Sequence, residues 1–166
     1  MSNVLTLARP YARAAFELAK GEQAAAAWSE KLAFAAAVAA DDAVHSLIGS
    51  PKLDAAARIG LFLPAGEPAD STYGRFLALL ESNQRLALLG QIAELYAELR
   101  ADDERTLKVR TRTAMPIDAV QQQELIGALA KRFHRVVTLD IVIDPELIGG
   151  AIVEAGDVVI DGSLRG

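Results

Sequence analysis

The first hundred residues carry apolar positions at helical spacing, interrupted by glycine, proline and aspartate. Alanine and leucine recur three and four residues apart, which is the repeat of a helix that buries one face. The interruptions divide this region into six helices, because glycine and proline end helices and aspartate caps them. The predicted helices are Arg9–Lys20, Ala24–Ala40, Asp42–Ile48, Leu53–Leu63, Thr72–Glu81 and Arg85–Arg100.

The pattern changes near Arg105, where β-branched residues begin to alternate with polar ones. Thr106–Thr113 alternates strictly, as a half-buried strand does. The elements predicted after it are a helix capped by Asp118 and ending at Phe133, a strand Val136–Ile143, and a hairpin of Gly150–Ala155 and Val158–Ile160 around Gly156-Asp157. The sequence therefore predicts an N-terminal all-α six-helix bundle, residues 1–104, followed by a small α+β C-terminal domain, residues 105–166.

The first predicted helix has an unusually wide apolar face. Its apolar residues cover about 200° of arc, whereas a surface helix that docks on one core needs only roughly 100°. Two interpretations remain open. The helix is either wedged centrally between others, or one edge packs inward while the edge of Tyr11, Ala14 and Leu18 lines a groove for another helix. The only tryptophan, Trp28, shares a helix face with Leu32 and is predicted to lie in the interior.

Charge and composition exclude several classes of function. The net charge is −5, and all of it lies in residues 1–104, which argues against a generic nucleic-acid binder. Cysteine is absent, so disulfides, thiolate metal sites and cysteine nucleophiles are excluded. His45 and His134 are the only histidines, too few for a histidine-rich metal site. We therefore predict no metal and no cofactor.

No segment of the sequence predicts insertion into a membrane or secretion. The longest apolar run, Leu32–Ala40, is far shorter than the ~20 residues of a spanning helix. Met1–Thr6 has no positive charge ahead of a hydrophobic core, as a secretory signal would. We expect a soluble intracellular protein.

Motifs of catalysis are absent, and one basic strand leaves an alternative open. Neither a phosphate-binding GxxxxGK[ST] loop nor a GxGxxG loop occurs. A small-molecule enzyme would need a polar pocket with perturbed titratable groups, which the sequence does not assemble. The face of Lys108, Arg110 and Arg112 could contact phosphates, or it could protect an edge strand from aggregation. The first interpretation makes a nucleic-acid-binding adaptor the alternative function. No catalytic residue is predicted.

Three segments resemble the delta subunit family of bacterial F-type ATP synthases, whose mitochondrial counterpart is the oligomycin-sensitivity-conferring protein. They are ARPYARAAFELA (Ala8–Ala19), FLALLESNQRLALLGQIAELYAEL (Phe76–Leu99) and IDPELIGGAIVEAGDVVIDGSLRG (Ile143–Gly166). The last segment is the most specific, and the similarity runs in order along essentially the whole chain.

The resemblance implies a non-catalytic stator subunit. In this family the N-terminal domain clasps an amphipathic helix from the N-terminus of an alpha subunit of the catalytic head. The C-terminal domain binds the b subunits of the peripheral stalk, so that the head stays static against rotor torque. The resemblance also implies one copy per complex, no nucleic acid, and a peripheral place on the cytoplasmic face of the bacterial inner membrane, with membrane contact only through the complex.

The resemblance further implies which residues carry these roles. The groove for the alpha-subunit helix would lie between the first and fifth helices, with the residues Tyr11, Ala14, Ala15, Leu18, Phe76, Leu77 and Leu80. A structural C-terminal motif would comprise Gly149, Gly150, Gly156, Asp157, Asp161 and Gly162. Family members usually continue with a short amphipathic helix, for which Ser163 would be the N-cap and which this chain lacks.

Overall fold

The computed structural model describes residues 2–165 and divides the chain into two compact units, Met1–Arg100 and Ala101–Gly166. Each unit has its own hydrophobic core. The division lies inside a helix that continues to Arg105, whereas the sequence predicts a boundary at the end of the helical region, between residues 104 and 105.

The first unit is built of helices. They are α1 (Ser2–Gly21), α2 (Ala25–Ala39), α3 (Asp42–Ile48), α4 (Ala55–Gly60), α5 (Thr72–Ser82), a single 3₁₀ turn (Leu86–Leu88) and α6 (Leu89–Arg105). Side-chain caps start three of them: Asp41 accepts the Ala43 N–H, Asp54 accepts the Ala57 N–H, and Ser71 accepts the Gly74 N–H. These caps satisfy amide groups that have no partner within the helix.

Three helices differ from the predicted bounds by more than one residue at an end. Helix α1 begins at Ser2 rather than Arg9, because Pro10 is accommodated inside it and the apolar repeat extends further back. Helix α4 is shorter than predicted, and α6 begins only after the 3₁₀ turn but runs on to Arg105.

The core of the first unit joins an alanine face to a group of aromatic rings. Ala8, Ala12, Ala15 and Ala19 of α1 are completely buried. Trp28 of α2 is also fully buried, which confirms its predicted interior position. Small side chains on α1 allow the neighbouring helices to approach closely, while the large rings fill the space between α2, α5 and α6.

The second unit combines one helix with two small sheets. Its elements after α6 are β1 (Thr106–Thr113), α7 (Ala119–Phe133), β2 (Val136–Ile143), β3 (Leu147–Gly149), β4 (Ala151–Ala155), β5 (Val158–Asp161) and β6 (Leu164–Arg165). The larger sheet has the order β2-β1-β4-β5, in which β1 and β2 are parallel and the other neighbours antiparallel. Strands β3 and β6 form a separate antiparallel pair. Helix α7 joins β1 to β2 and packs on the apolar face of the larger sheet.

Several predicted features of this unit are confirmed. The bounds of β1 and β2 agree with the sequence pattern, and Asp118 caps α7 in a capping box with Gln121. The hairpin turns at Gly156-Asp157, where Ala155 pairs with Val158. Two details were wrong: β3 and β6 were not expected as a pair, and Gly150 is a bend between strands rather than part of one.

Candidate partner-binding surfaces

Helix α1 presents an apolar stripe to solvent beside its buried alanine face. The stripe consists of Val4, Leu7, Tyr11, Ala14 and Leu18, spaced alternately three and four residues apart. All five are at least partly exposed, and Leu18 is 40% exposed. This seven-residue repeat is the pattern with which one helix packs against another. We call these five residues the α1 stripe.

Helix α5 contributes an adjacent wall at its C-terminal end. The Tyr11 hydroxyl accepts a hydrogen bond of 3.1 Å from the Asn83 side-chain amide, directly after α5. Leu79 is four residues before Asn83, so it lies one helical turn away on the same side of α5. It is 46% exposed. Leu79 and the α1 stripe therefore form neighbouring parts of one apolar surface.

Four residues expected in the groove are instead part of the core. Phe76, Leu77 and Leu80 of α5 are buried, and so is Ala15 of α1. Tyr11, Ala14 and Leu18 are accessible, as the groove requires. The buried four support the surface from beneath, because successive residues of a helix point about 100° apart, so that one face packs inward while the next is exposed. Sequence reasoning missed Leu79, since nothing in the pattern of α5 shows which of its apolar sides faces the core.

Aromatic packing and hydrogen bonds fix α5 from behind. The Trp28 ring lies 5.3 Å from that of Tyr73 and 5.7 Å from that of Phe76. The Trp28 Nε1–H donates to Glu22 at 3.0 Å, and the Tyr73 hydroxyl donates to the Lys31 carbonyl at 3.0 Å. Burial raises the pKa of Tyr73, so its hydroxyl stays protonated and able to donate. The surface is thus held in place before any partner arrives.

Two carboxylates complete this support. Hydrogen bonds from Thr72 and then Trp28 lower the pKa of Glu22. Glu67 forms an ion pair of 3.0 Å with Lys31 and is largely buried. Its burial alone would raise its pKa, but hydrogen bonds from Ser71 and Lys31 outweigh this and leave the pKa lowered. The loop before α5 is therefore tied to α2 by charged groups.

Two of the three basic strand residues, Arg110 and Arg112, are paired with carboxylates within the second unit. Arg110 lies 3.6 Å from Asp140, while Arg112 lies 3.1 Å from Glu154 and 3.7 Å from Asp144. Strand β1 lies between β2 and β4, so the interpretation of these cations as protection for an edge strand is wrong. Since carboxylates occupy both guanidinium groups, the arrangement does not favour the alternative of a nucleic-acid adaptor.

The glycines of the C-terminal motif have different roles. Gly150 has φ +73°, and a Cβ there would meet the Gly162 backbone, 3.0 Å from its carbonyl carbon. Gly156 has φ +59° in the hairpin turn, with Asp157 beside it. A Cβ on Gly149 would make only ordinary contact with Leu164. The close approach of the Gly162 backbone therefore explains why position 150 is a glycine, but it does not explain the glycine at position 149.

The end of the motif forms a turn followed by a strand. Asp161 accepts hydrogen bonds from both the backbone N–H and the hydroxyl of Ser163. The N–H of Gly162 donates to the Ala151 carbonyl at 3.0 Å. Leu164 then pairs with Gly149, so Ser163 precedes strand β6 and is not a helix cap in this structure.

One cleft of the first unit is lined by a paired arginine and glutamate. The cleft has a volume of about 550 Å³, and within it Arg58 and Glu81 lie 2.6 Å apart. The hydrogen bond that Arg58 donates to Glu81 raises the pKa of Arg58. Other guanidinium N–H groups of Arg58 donate to the Ser50 and Leu53 carbonyls. Within residues 2–165, no three acidic, histidine or cysteine side chains converge as metal ligands. In the same range, no helix is long and apolar enough to span a bilayer.

An apolar stripe that stays exposed on a helical unit is typical of proteins that bind partners by packing apolar surfaces together. Comparison with known proteins gives the family. Residues 7–166 match the family described as ATP synthase delta (OSCP) subunit, and the chain belongs to this family. Its members are structural subunits of the peripheral stalk of F-type ATP synthase, so this chain is a structural subunit and not an enzyme.

Similar proteins span the whole chain. ATP synthase subunit delta of Stenotrophomonas maltophilia strain R551-3 is 47% identical over 166 residues, which is 100% of this chain and 94% of the relative. The subunits of Xanthomonas campestris pv. campestris strain B100 and Marinobacter nauticus are 46% and 43% identical with the same coverage. A chain of the Toxoplasma gondii mitochondrial ATP synthase hexamer is 19% identical, covers 95% of this chain and 91% of its own, and has a TM-score of 0.42.

Proposed function

We propose that this subunit connects the catalytic head of the ATP synthase to the b subunits of its peripheral stalk and so resists rotor torque. Its six helices act as one bundle that receives the amphipathic N-terminal helix of an alpha subunit. The second unit binds the stalk. One copy serves each complex, on the cytoplasmic face of the inner membrane, and it touches the membrane only through the complex.

The observation that carries the proposal is the α1 stripe. A partner helix with its own apolar repeat would cover Leu7, Tyr11, Ala14 and Leu18 on one side and Leu79 on the other. Burying a large aliphatic or aromatic side chain contributes about 1.5–3 kcal/mol. The surface therefore supplies substantial binding energy once association costs are met. The ordered packing behind α5 lowers the cost of association, because few side chains have to rearrange when the partner helix binds.

Substitution of neighbouring alanines on α1 tests the proposed groove. Ala14 is partly exposed in the stripe, whereas Ala15 is completely buried. We expect Ala14→Asp to leave the helical circular dichroism intact but to abolish measurable binding of a synthetic alpha-subunit N-terminal peptide in calorimetry, because its carboxylate is desolvated only in the complex. Ala15→Asp is the matched control, which should lose helical structure. An Ala14→Asp protein that binds the peptide normally would overturn the groove.

Helix α5 provides a second matched pair. Leu79→Asp should weaken the peptide at least about tenfold, since an anchor is replaced by a charge at the interface. Ala78→Asp, at an exposed position on another side of α5, should bind as the unsubstituted chain does. Binding should also alter the fluorescence of Trp28, because its ring contacts Phe76 of α5. Equal effects of both substitutions would argue against Leu79 as a contact.

A further inference from the structure

Strand β2 forms one edge of the larger sheet and is eight residues long, twice the length of β5 at the other edge. Within residues 2–165, no strand pairs with its outer side. Edge strands are commonly blocked by lysine, proline or a bulge, so that they do not pair with other chains. Residues 136–143, VVTLDIVI, contain no lysine, proline or glycine, and they pair with β1 without a register shift. This edge therefore lacks the usual protection.

The backbone groups on the outer side of β2 belong to alternate residues. Asp144, directly after β2, donates its backbone N–H to the Thr113 carbonyl of β1 at 2.8 Å. Since the backbone groups of a strand point alternately to its two sides, the even-numbered residues of β2 bond to β1. The N–H and C=O groups of Val137, Leu139 and Ile141 therefore point away from β1. We call this outer row of backbone groups the β2 edge.

The sequence of β2 is complementary to itself when two copies run antiparallel about a two-fold axis at Leu139. The facing pairs are then Val136 with Val142, Val137 with Ile141, Thr138 with Asp140, and Leu139 with its counterpart. Every apolar residue faces an apolar one, and the carboxylate faces a hydroxyl that can donate to it. An axis at Asp140 would instead bring two carboxylates together. The two edges would exchange about six backbone hydrogen bonds.

Side chains on both faces of β2 have apolar surface left to bury. Val137 and Leu139 belong to the core beneath α7, so the even-numbered residues point to the opposite face. On that face Val136 is 67% and Val142 39% exposed. Leu139 is only partly buried, and its counterpart in a second copy would cover it further. Pairing of two β2 edges would therefore remove apolar surface from water on both sides of the sheet.

We propose that the free subunit pairs with a second copy of itself through the β2 edges, which joins the two larger sheets into one. A two-fold axis is the commonest symmetry of protein dimers, and it lets one self-complementary strand serve both copies. An extended peptide of another protein could also add to a sheet edge. The match of β2 with itself, pair by pair, favours the second copy. Because the proposed function uses one copy in each complex, this dimer is a form of the unassembled subunit.

Charges at the facing valines test the pairing and its register. Sedimentation equilibrium of the full chain should show a monomer–dimer equilibrium. In Val136→Glu/Val142→Glu like charges face each other, and we expect the dimer dissociation constant to rise at least about tenfold. Val136→Lys/Val142→Glu replaces this repulsion by attraction and should dimerise within about threefold of the unsubstituted chain. The two positions are about 20 Å apart on one strand, so this rescue can come only from a second copy.

Single cysteines give a second test, because the chain has none of its own. The thiol of Leu139→Cys would face its counterpart, with about 5.5 Å between the Cα atoms, which suits a disulfide. Mild oxidation should therefore cross-link this variant. Thr138→Cys is the matched control and should not cross-link, since its thiol would face Asp140 of the second copy.

Val159 supplies the control for the charges. It is 61% exposed on β5, at the other edge of the sheet, and Val159→Glu should leave dimerisation unchanged. Circular dichroism checks that each variant keeps its fold. A chain that stays monomeric at its highest soluble concentration would overturn the proposal. A dimer that is indifferent to the charges at positions 136 and 142, or that Val159→Glu weakens equally, would place the contact on another surface and overturn it too.

Discussion

Gly74 illustrates how one residue secures the start of α5. A Cβ at this position would lie 2.6 Å from the Ala69 carbonyl carbon and 2.9 Å from the Pro68 oxygen, both rigid backbone atoms. We predict that Gly74→Ala lowers the free energy of unfolding by about 1–3 kcal/mol, as overpacking does. Gly90→Ala, where a Cβ meets nothing within 4 Å, should be neutral or slightly stabilising. Denaturant unfolding followed by circular dichroism compares the two, and equal stability would contradict the close contact.

The adjacent glycines 149 and 150 allow an equally sharp comparison. Gly150→Ala adds a side chain at positive φ and against the Gly162 backbone, so we predict a loss of about 2–4 kcal/mol from strain and overpacking together. Gly149→Ala should cost less than about 1 kcal/mol, because glycine is not required there. Chemical shifts of the second unit would reveal whether its sheet is disturbed. A Gly150→Ala protein with an unchanged spectrum and stability would refute this assignment.

At the scale of elements, Glu22 connects the turn after α1 with α2 and α5 and makes stability depend on pH. Its pKa lies below the ordinary value of 4.5 because Thr72 and Trp28 donate to the carboxylate. The stabilisation is therefore complete above pH 4.5 and is lost as the pH falls through the lowered pKa of the folded state. Glu22→Gln should lower the melting temperature near pH 7, by the equivalent of no more than about 1 kcal/mol since water screens the group.

The effect of this substitution should shrink as the pH falls and vanish below the lowered pKa of the folded state, where Glu22 is protonated in both states. Glu30→Gln changes the net charge equally but lies on an exposed side of α2, and it is the control. Thermal melts across this pH range measure both variants. A difference for Glu22→Gln that persists unchanged in acid would show that the hydrogen bonds, not the charge, are responsible.

Strong periodicity made some elements predictable, and tertiary contacts decided the others. Strand β1 and helix α7 have unambiguous patterns and caps, so their bounds follow from the sequence alone. The start of α1 does not follow from the sequence alone. Pro10 removes one backbone donor but does not prevent a helix, and the apolar repeat of this helix continues through Leu7. Strands as short as β6 have too few residues to show a period. The exposed side of α5 depends on where α2 lies, which no local pattern contains.

At the scale of the whole molecule, two separate cores predict two separable unfolding events. The first core contains only residues of the helical unit, and the second only residues of the α+β unit. We predict that scanning calorimetry resolves two transitions, with Gly74→Ala lowering one and Gly150→Ala lowering the other. A fragment of residues 1–104 should keep its helical circular dichroism and the alpha-peptide affinity of the full chain. A single transition shifted by both substitutions would show that the units unfold together.

The inner face of α1 has a mechanical consequence. Ala8, Ala12, Ala15 and Ala19 have no rotatable side-chain torsions, so this contact has no alternative rotamers to adopt when it is loaded. A force applied along the helix is met by small displacements of a tightly packed backbone, which resists compression. We expect such a contact to be stiffer than one made by long flexible side chains, which could yield to a load by changing rotamer. In a subunit proposed to hold the head against rotation, a stiff inner face on α1 would keep the partner-binding stripe of the same helix in a fixed position under load.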